Sequence, residues 1–140
     1  RAGRLLAAVA ATGESVGGIY TALGRRLHCD GRELSTEVAI EALAECGYDT
    51  DLAAALDDES FDAAVATAHQ RSQDTLGSVG GSPITVIDER AFFGPVLTEV
   101  PAGEDADRLF DGLVAVADTA AFAQLERPRV GPPVLAGACS

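Results

Sequence analysis

The sequence predicts a mixed α/β chain in which helices dominate. Three observations carry that expectation. Apolar residues recur at three- and four-residue intervals through the first eighty positions. The β-branched run Ile84-Thr85-Val86-Ile87 follows the breaker cluster Gly80-Gly81-Ser82. A strongly amphipathic segment then occupies positions 106–117. A period near 3.6 residues marks a helix that buries one face, and short β-branched runs bounded by glycine and proline mark strands.

The elements follow in order. Leu5, Leu6 and Val9 form a stripe that ends at Thr12-Gly13, and Val16, Ile19, Tyr20, Leu23 and Leu27 continue at helical spacing until Gly31. Ser35 is placed to cap the next helix, with Glu37 in its electropositive first turn. That helix would bury Val38, Ala39, Ala42, Leu43 and Cys46 and end at Gly47, a natural left-handed terminator. A short piece over Leu52–Leu56 leads to a longer helix, where Phe61, Ala64, Val65, Ala68, Ser72 and Leu76 share a face and Gly77 closes it. Pro83 opens the first strand. Asp88-Glu89 separates it from Arg90-Ala91-Phe92-Phe93-Gly94, which reads as a β-hairpin. The turn is a poor one, because two-residue hairpin turns favour Asn-Gly or Asp-Gly and Glu89 would need a positive φ. Residues 95–101 connect to the last helix, with Ala106, Leu109, Phe110, Leu113, Val114 and Ala117 on its apolar face and Glu104, Asp105 and Asp107 near its start. The proline- and glycine-containing stretch from Pro128 reads as an extended or frayed tail.

Composition narrows the function classes. The 140 residues are 47% hydrophobic, enough for a folded core, and carry a formal net charge of −12. Such a field repels phosphate backbones and disfavours nucleic-acid binding. All ten basic residues are Arg, and Lys, Asn, Met and Trp are absent. The chain begins at Arg1 with no signal-peptide pattern, no apolar run long enough for a membrane span, and no initiator Met. It therefore reads as cut from something longer. Cys29, Cys46 and Cys139 are odd in number and widely spaced. They match neither a disulfide framework nor a zinc site, which suggests a reduced, cytoplasmic protein.

Individual residues with chemical potential mostly have bland readings. Cys46 sits on an apolar helix face and reads as a packed structural thiol. Cys29 adjoins His28, but neighbouring residues on a helix do not face each other, so a Cys–His dyad is not expected. Cys139 reads as an exposed thiol in the tail, and His69 as a surface or packing residue. Gly77-Ser78-Val79-Gly80-Gly81 precedes a strand rather than opening a helix, so it fails as a dinucleotide fingerprint. The acidic residues at 57–59 and 104–107 lack calcium-loop spacing. Phe92 and Phe93 are expected to pack on sheet neighbours and the last helix. No metal site is expected.

The segment Gly80-Gly81-Ser82-Pro83-Ile84-Thr85-Val86-Ile87 resembles the cis-proline loop and following strand of thioredoxin-fold proteins. Ala91-Phe92-Phe93-Gly94-Pro95-Val96-Leu97, with Val100-Pro101 and Gly103-Glu104, is similar to a narrower group. That group is the DsbA superfamily of thiol–disulfide oxidoreductases, in particular the mycothiol-dependent nitroreductases. Leu23-Gly24, Arg26-Leu27-His28 and Ala68-His69 resemble the helical subdomain inserted in that fold. The resemblance covers about residues 1 to 133 and implies a thioredoxin-like, DsbA-type α/β fold. In that reading 1–79 form the helical insertion, 80–127 the C-terminal hairpin-and-helix half, and 128–140 an extended tail. The family's N-terminal strand–helix–strand unit and its Cys-Pro-x-Cys motif are not in this chain. The remaining sheet would come from residues before Arg1.

The resemblance also implies a function. The parent protein would be a cytoplasmic oxidoreductase that uses mycothiol, or another low-molecular-weight thiol, as cosubstrate to reduce disulfides or small electrophiles. Ser82 and Pro83 would bind substrate, with the Ser82 backbone offered to an extended thiol. This chain alone, lacking the paired cysteines, would be inactive. Bound cofactors, nucleic acid and membrane are not expected as partners. A kappa-type glutathione transferase, a relative such as 2-hydroxychromene-2-carboxylate isomerase, or a non-catalytic thioredoxin-fold binding module are the alternatives. The residues at the N-terminal motif would discriminate among them.

Overall fold

The computed structural model describes residues 1–129, 131 and 134. They fall into two compact units, residues 1–71 and residues from 72 onward.

The first unit is helical. Helix α1 (Ala2–Thr12) buries Leu5, Ala8 and Val9. Helix α2 (Val16–Gly24) buries Ile19, Ala22 and Leu23. Tyr20, expected on that face, is instead exposed, because it lies about 100° around the helix from Ile19 and Ala22 completes the stripe. The helix widens into a π-helical turn over Arg25–Cys29, and Gly31 ends it in the left-handed region. Helix α3 (Thr36–Cys46) begins where Ser35 Oγ accepts from the Val38 amide at 3.3 Å. It ends at Gly47, φ 73°. There the Gly47 amide donates to Ala44 O and the Tyr48 amide to Leu43 O, which satisfies two terminal carbonyls and requires a residue without a Cβ penalty at position 47. A 3₁₀ segment, Thr50–Asp57, buries Ala53, Ala55 and Leu56.

These faces meet in one core of Leu5, Val9, Ile19, Leu23, Val38, Leu43 and Leu56 with interleaved alanines. Each fully buried Leu or Ile contributes about 1.5–3 kcal/mol relative to exposure, and the alanines let the helices approach closely. Cys46 packs half-buried against this core and is the free thiol among the described residues. Cys29, expected to be reduced, is disulfide-bonded. The thiol expected at Cys139 lies outside the described residues.

Ion pairs brace the exterior of this unit. Arg4 Nε meets Asp62 Oδ1 at 2.6 Å, Arg26 Nη1 meets Glu45 Oε2 at 2.8 Å, and Arg32 pairs with Glu41.

Helix α4 (Asp62–Leu76) follows a short 3₁₀ turn and buries no residue completely. Phe61, Val65, Ser72 and Leu76 are half-buried as their spacing suggests, whereas Ala64 and Ala68 face solvent. Gly77 terminates it at φ 75°.

The second unit holds the hairpin. Strands β1 (Ile84–Ile87) and β2 (Arg90–Phe93) pair antiparallel, with Ile84 opposite Phe93 and Ile87 opposite Arg90. Asp88 and Glu89 form the two-residue turn with φ 46° and 65°. Two consecutive positive φ values are what a primed turn demands, and here non-glycine residues supply both. Helix α5 (Glu104–Asp118) starts with Glu104, Asp105 and Asp107 in its first turn. Arg90 ties the hairpin to its other end, donating from Nη1 to Ala117 O at 2.7 Å. Ala117 is the buried hydrophobic residue here among those described. Phe110, expected on the apolar face of α5, is 65% exposed, and Phe93 is 53% exposed. Both follow their element's apolar pattern, yet more than half of each stays open to solvent. In the tail, the Val134 amide donates to Thr98 O at 2.7 Å, and Val134 bridges Glu99 in parallel. The chain is thus α/β, mostly helical with a two-stranded sheet, a content compatible with a thioredoxin-like fold.

Candidate functional site

The sequence singles out the loop before β1, and the structure fastens that loop at several points. Gly80 is held first. The side-chain amide of Gln73, in the last turn of α4, donates from Nε2 to Gly80 O at 3.0 Å. It also accepts from the Gly80 amide at Oε1, at 2.7 Å. Both backbone groups of Gly80 are therefore engaged by one planar amide. A Cβ at Gly80 would come within 2.5 Å of Leu76 Cδ2, so a side chain there would force the Leu76 side chain to move.

Gly81 lies against the ring of Phe93, where an added Cβ would sit 3.4 Å from Cε2. Phe93, cross-strand from Ile84, thus also lies over the loop. Ser82 and Pro83 follow, both exposed, and the peptide between them is cis, as is Gly94–Pro95. Beyond them the strand ladder takes over. The Gly94 amide donates to Pro83 O at 2.9 Å, and Thr85 Oγ1 donates to Gly94 O. Neither the amide nor the carbonyl of Ser82 has a hydrogen-bond partner among the described residues. Ser82 thus presents an open donor and acceptor between the Gln73-held Gly80 and the strand-paired Pro83, an arrangement able to pair with an extended ligand backbone.

Beside the loop runs an open, largely apolar groove within the second unit. Val79, Phe93, Val96, Leu97, Leu109 and Phe122 contribute to its walls. Gly80 and Gly81 border it, whereas Ser82 and Pro83 do not. Val79 is 97% exposed.

Sequence reasoning marked Ser82, Pro83 and the adjacent glycines but missed Gln73. A glutamine near the end of a helix carries no signal by itself, and its partner, seven residues on, lies past the end of α4, where helical spacing no longer applies. Other candidates do not assemble into a site. Among the described residues no group of three or more His, Cys, Asp or Glu side chains is placed to hold a metal. No described helix is long and apolar enough to cross a membrane. Cys29, being disulfide-bonded, offers no thiolate beside His28.

A family model described as Rv2466c-like, "Mycothiol-dependent nitroreductase Rv2466c", matches residues 2–127. The chain is also 34% identical over 112 residues to the "Uncharacterized protein Rv2286c" of Mycobacterium tuberculosis. That alignment covers 79% of this chain and 48% of the relative, so the chain spans about half the length of the curated protein it matches.

Proposed function

The chain belongs to the Rv2466c-like family of mycothiol-dependent nitroreductases, and from that premise we propose that it carries the substrate-loop half of a cytoplasmic, mycothiol-using oxidoreductase. In this reading the fold is thioredoxin-like and of the DsbA type. Residues 1–79 are the helical insertion, 80–127 the hairpin-and-helix half, and 128–140 an extended tail. Ser82 and Pro83 form the loop that receives the thiol substrate. The observation that carries the reading is the family match over residues 2–127. The open backbone of Ser82, flanked by the Gln73-held Gly80 and the strand-paired Pro83, supports it.

The chemistry is thiol–disulfide exchange. A thiolate attacks one sulfur of a disulfide, the mixed disulfide forms, and the other sulfur leaves as a thiolate. Over a full cycle two mycothiol molecules give up two electrons and two protons and become mycothiol disulfide. The target disulfide takes up both and becomes two thiols. The attacking group needs a lowered pKa, of the kind found at a helix N-terminus or beside a cation. No Cys-x-x-Cys occurs among the 140 residues. In this reading the exchanging cysteines belong to sequence outside them, and this chain's part is to orient the substrate.

The test is turnover. Full-length protein is given mycothiol and, separately, a small disulfide and an aromatic nitro compound, and mycothiol oxidation is followed. Mycothiol-dependent turnover is expected from the full-length protein and none from residues 1–140 alone. Turnover by the 140-residue chain would remove the need for outside cysteines. Activity with glutathione and not mycothiol would point to a kappa-type transferase. No thiol-dependent reaction at all would leave a binding module.

A further inference from the structure

We propose that Gln73 is the positioning residue of the Ser82–Pro83 loop: by clamping Gly80 with both ends of its amide, it sets where Ser82 presents its backbone to the thiol substrate. This inference rests on the functional reading above and names the side chain that makes the loop competent.

The argument starts from what the loop lacks. Two of the three residues of Gly80-Gly81-Ser82 are glycines, the least restrained residue type, with no side chain to pack. Left to themselves they would sample many backbone states, and a ligand that pairs with Ser82 would have to order them on binding. Gln73 supplies the missing order. Its Oε1 accepts from the Gly80 amide at 2.7 Å and its Nε2 donates to Gly80 O at 3.0 Å. This is the paired donor and acceptor that a neighbouring strand would offer, delivered by a side chain from the end of α4. Leu76 lies directly beneath Gly80, and the Phe93 ring lies against Gly81.

The clamp is also selective. It occupies both polar backbone groups of Gly80, while the amide and carbonyl of Ser82 keep theirs open among the described residues. A ligand pairing in this loop is thereby kept off Gly80 and cannot slip two residues toward the N-terminus.

Three variants of the full-length protein test this. Gln73→Leu removes both hydrogen bonds while nearly preserving side-chain size. Gln73→Glu keeps an acceptor for the Gly80 amide and loses the donor to Gly80 O. Gln73→Asn retains both groups on a stem one methylene shorter. Turnover is measured with mycothiol and a small disulfide, together with thermal unfolding and hydrogen exchange at the Gly80 amide. Gln73→Leu is expected to raise KM for mycothiol roughly threefold to tenfold per lost bond while kcat changes little, since a net hydrogen bond is worth about that factor. Gln73→Glu should fall between Gln73→Leu and the parent, and Gln73→Asn should behave like Gln73→Leu. Exchange at Gly80 should speed up in the same order.

A residue that only stabilises the fold would lower the unfolding temperature and leave KM where it was, and that result overturns the proposal. Unchanged exchange at Gly80 in Gln73→Leu overturns it too, because the clamp would then not be holding the loop. If the parent itself shows no mycothiol-dependent turnover, the functional reading fails, and the role of Gln73 in that reaction falls with it. Parent turnover with an unmoved KM in Gln73→Leu removes the role of Gln73 alone.

Discussion

Residues 1–71 and the residues from 72 onward are built from similar apolar patterns and use them differently. In the first unit the stripes of α1, α2, α3 and the 3₁₀ segment face one another, and Leu5, Val9, Ile19, Ala39, Ala42, Leu43 and Leu56 have no measurable exposure. In the second, α5 has the most amphipathic sequence of the chain, yet Ala117 is its buried residue. Val79, Val86, Phe93, Phe110 and Leu125 all stand more than half exposed. An apolar stripe records which face of an element seeks cover, but burial also needs a second surface of matching shape. The first unit carries both halves of that match. The second offers apolar surface of the sort that receives a partner, a ligand or further chain.

The sharpest way to break this comparison is to truncate one large apolar side chain in each unit. Leu43→Ala in the closed core is expected to cost about 2–5 kcal/mol, the lost transfer energy plus the cavity left behind. Phe110→Ala, although it deletes a larger group, should change stability by no more than about 0.5 kcal/mol, because its ring is already in water. Urea unfolding of both variants beside the parent measures the difference. Similar losses in the two would mean that Phe110 is covered in solution and that the units are less unlike than their surfaces indicate.

A smaller effect is expected at the hairpin turn. Asp88 and Glu89 both occupy the left-handed region, at roughly 1–2 kcal/mol for a residue with a Cβ. Glu89→Gly removes that penalty at one of them and should strengthen the hairpin by about 1 kcal/mol, partly offset by the greater entropy glycine has when unfolded. Slower hydrogen exchange at the Gly94 amide, which closes the hairpin on Pro83 O, is the readout. Faster exchange would show that Glu89 is favoured where it is. The substitution lies entirely in the second unit, so the core around Leu43 should not register it.

How much could be read beforehand divides along the same line. Ser35 as cap, Gly47 as terminator and the buried set on α3 follow from spacing, since a helix end and a helix face are local properties. The hairpin register was legible because the two apolar runs leave only Asp88-Glu89 between them. Tyr20 was misplaced because adjacent apolar residues compete for one stripe and spacing alone does not choose between Tyr20 and Ala22. Ala64, Ala68, Phe93 and Phe110 were misjudged for another reason: their patterns are regular, and what covers them is not a property of their own segment. At the candidate site Ser82 and Pro83 stood out by residue type. Gln73 did not, because its meaning arises only when the chain turns back to bring Gly80 against the end of α4. The disulfide at Cys29 was equally invisible to spacing rules.

The smallest expected effect concerns acid, and it belongs to the first unit. The Arg4 guanidinium, hydrogen-bonded to Asp62, holds that carboxyl below its ordinary range. Arg32 does the same for Glu41, and Arg26 with Arg25 for Glu45. A carboxylate whose pKa is depressed on folding stabilises the native state above its unfolded pKa, about 4. That contribution is lost as pH falls through the lower folded value. Acidification from about pH 5 downward should therefore erode the stability of residues 1–71 progressively. The carboxylate of each pair is open to solvent, so the erosion should be modest and weaker still at high salt, where screening shortens the reach of each charge. Arg4→Gln and Arg32→Gln should each flatten the acid limb of a stability–pH curve measured by urea midpoint. Parallel limbs in parent and variants would show that the pairs lie on the surface without contributing to the fold, and that the closed core alone distinguishes this unit from the open one.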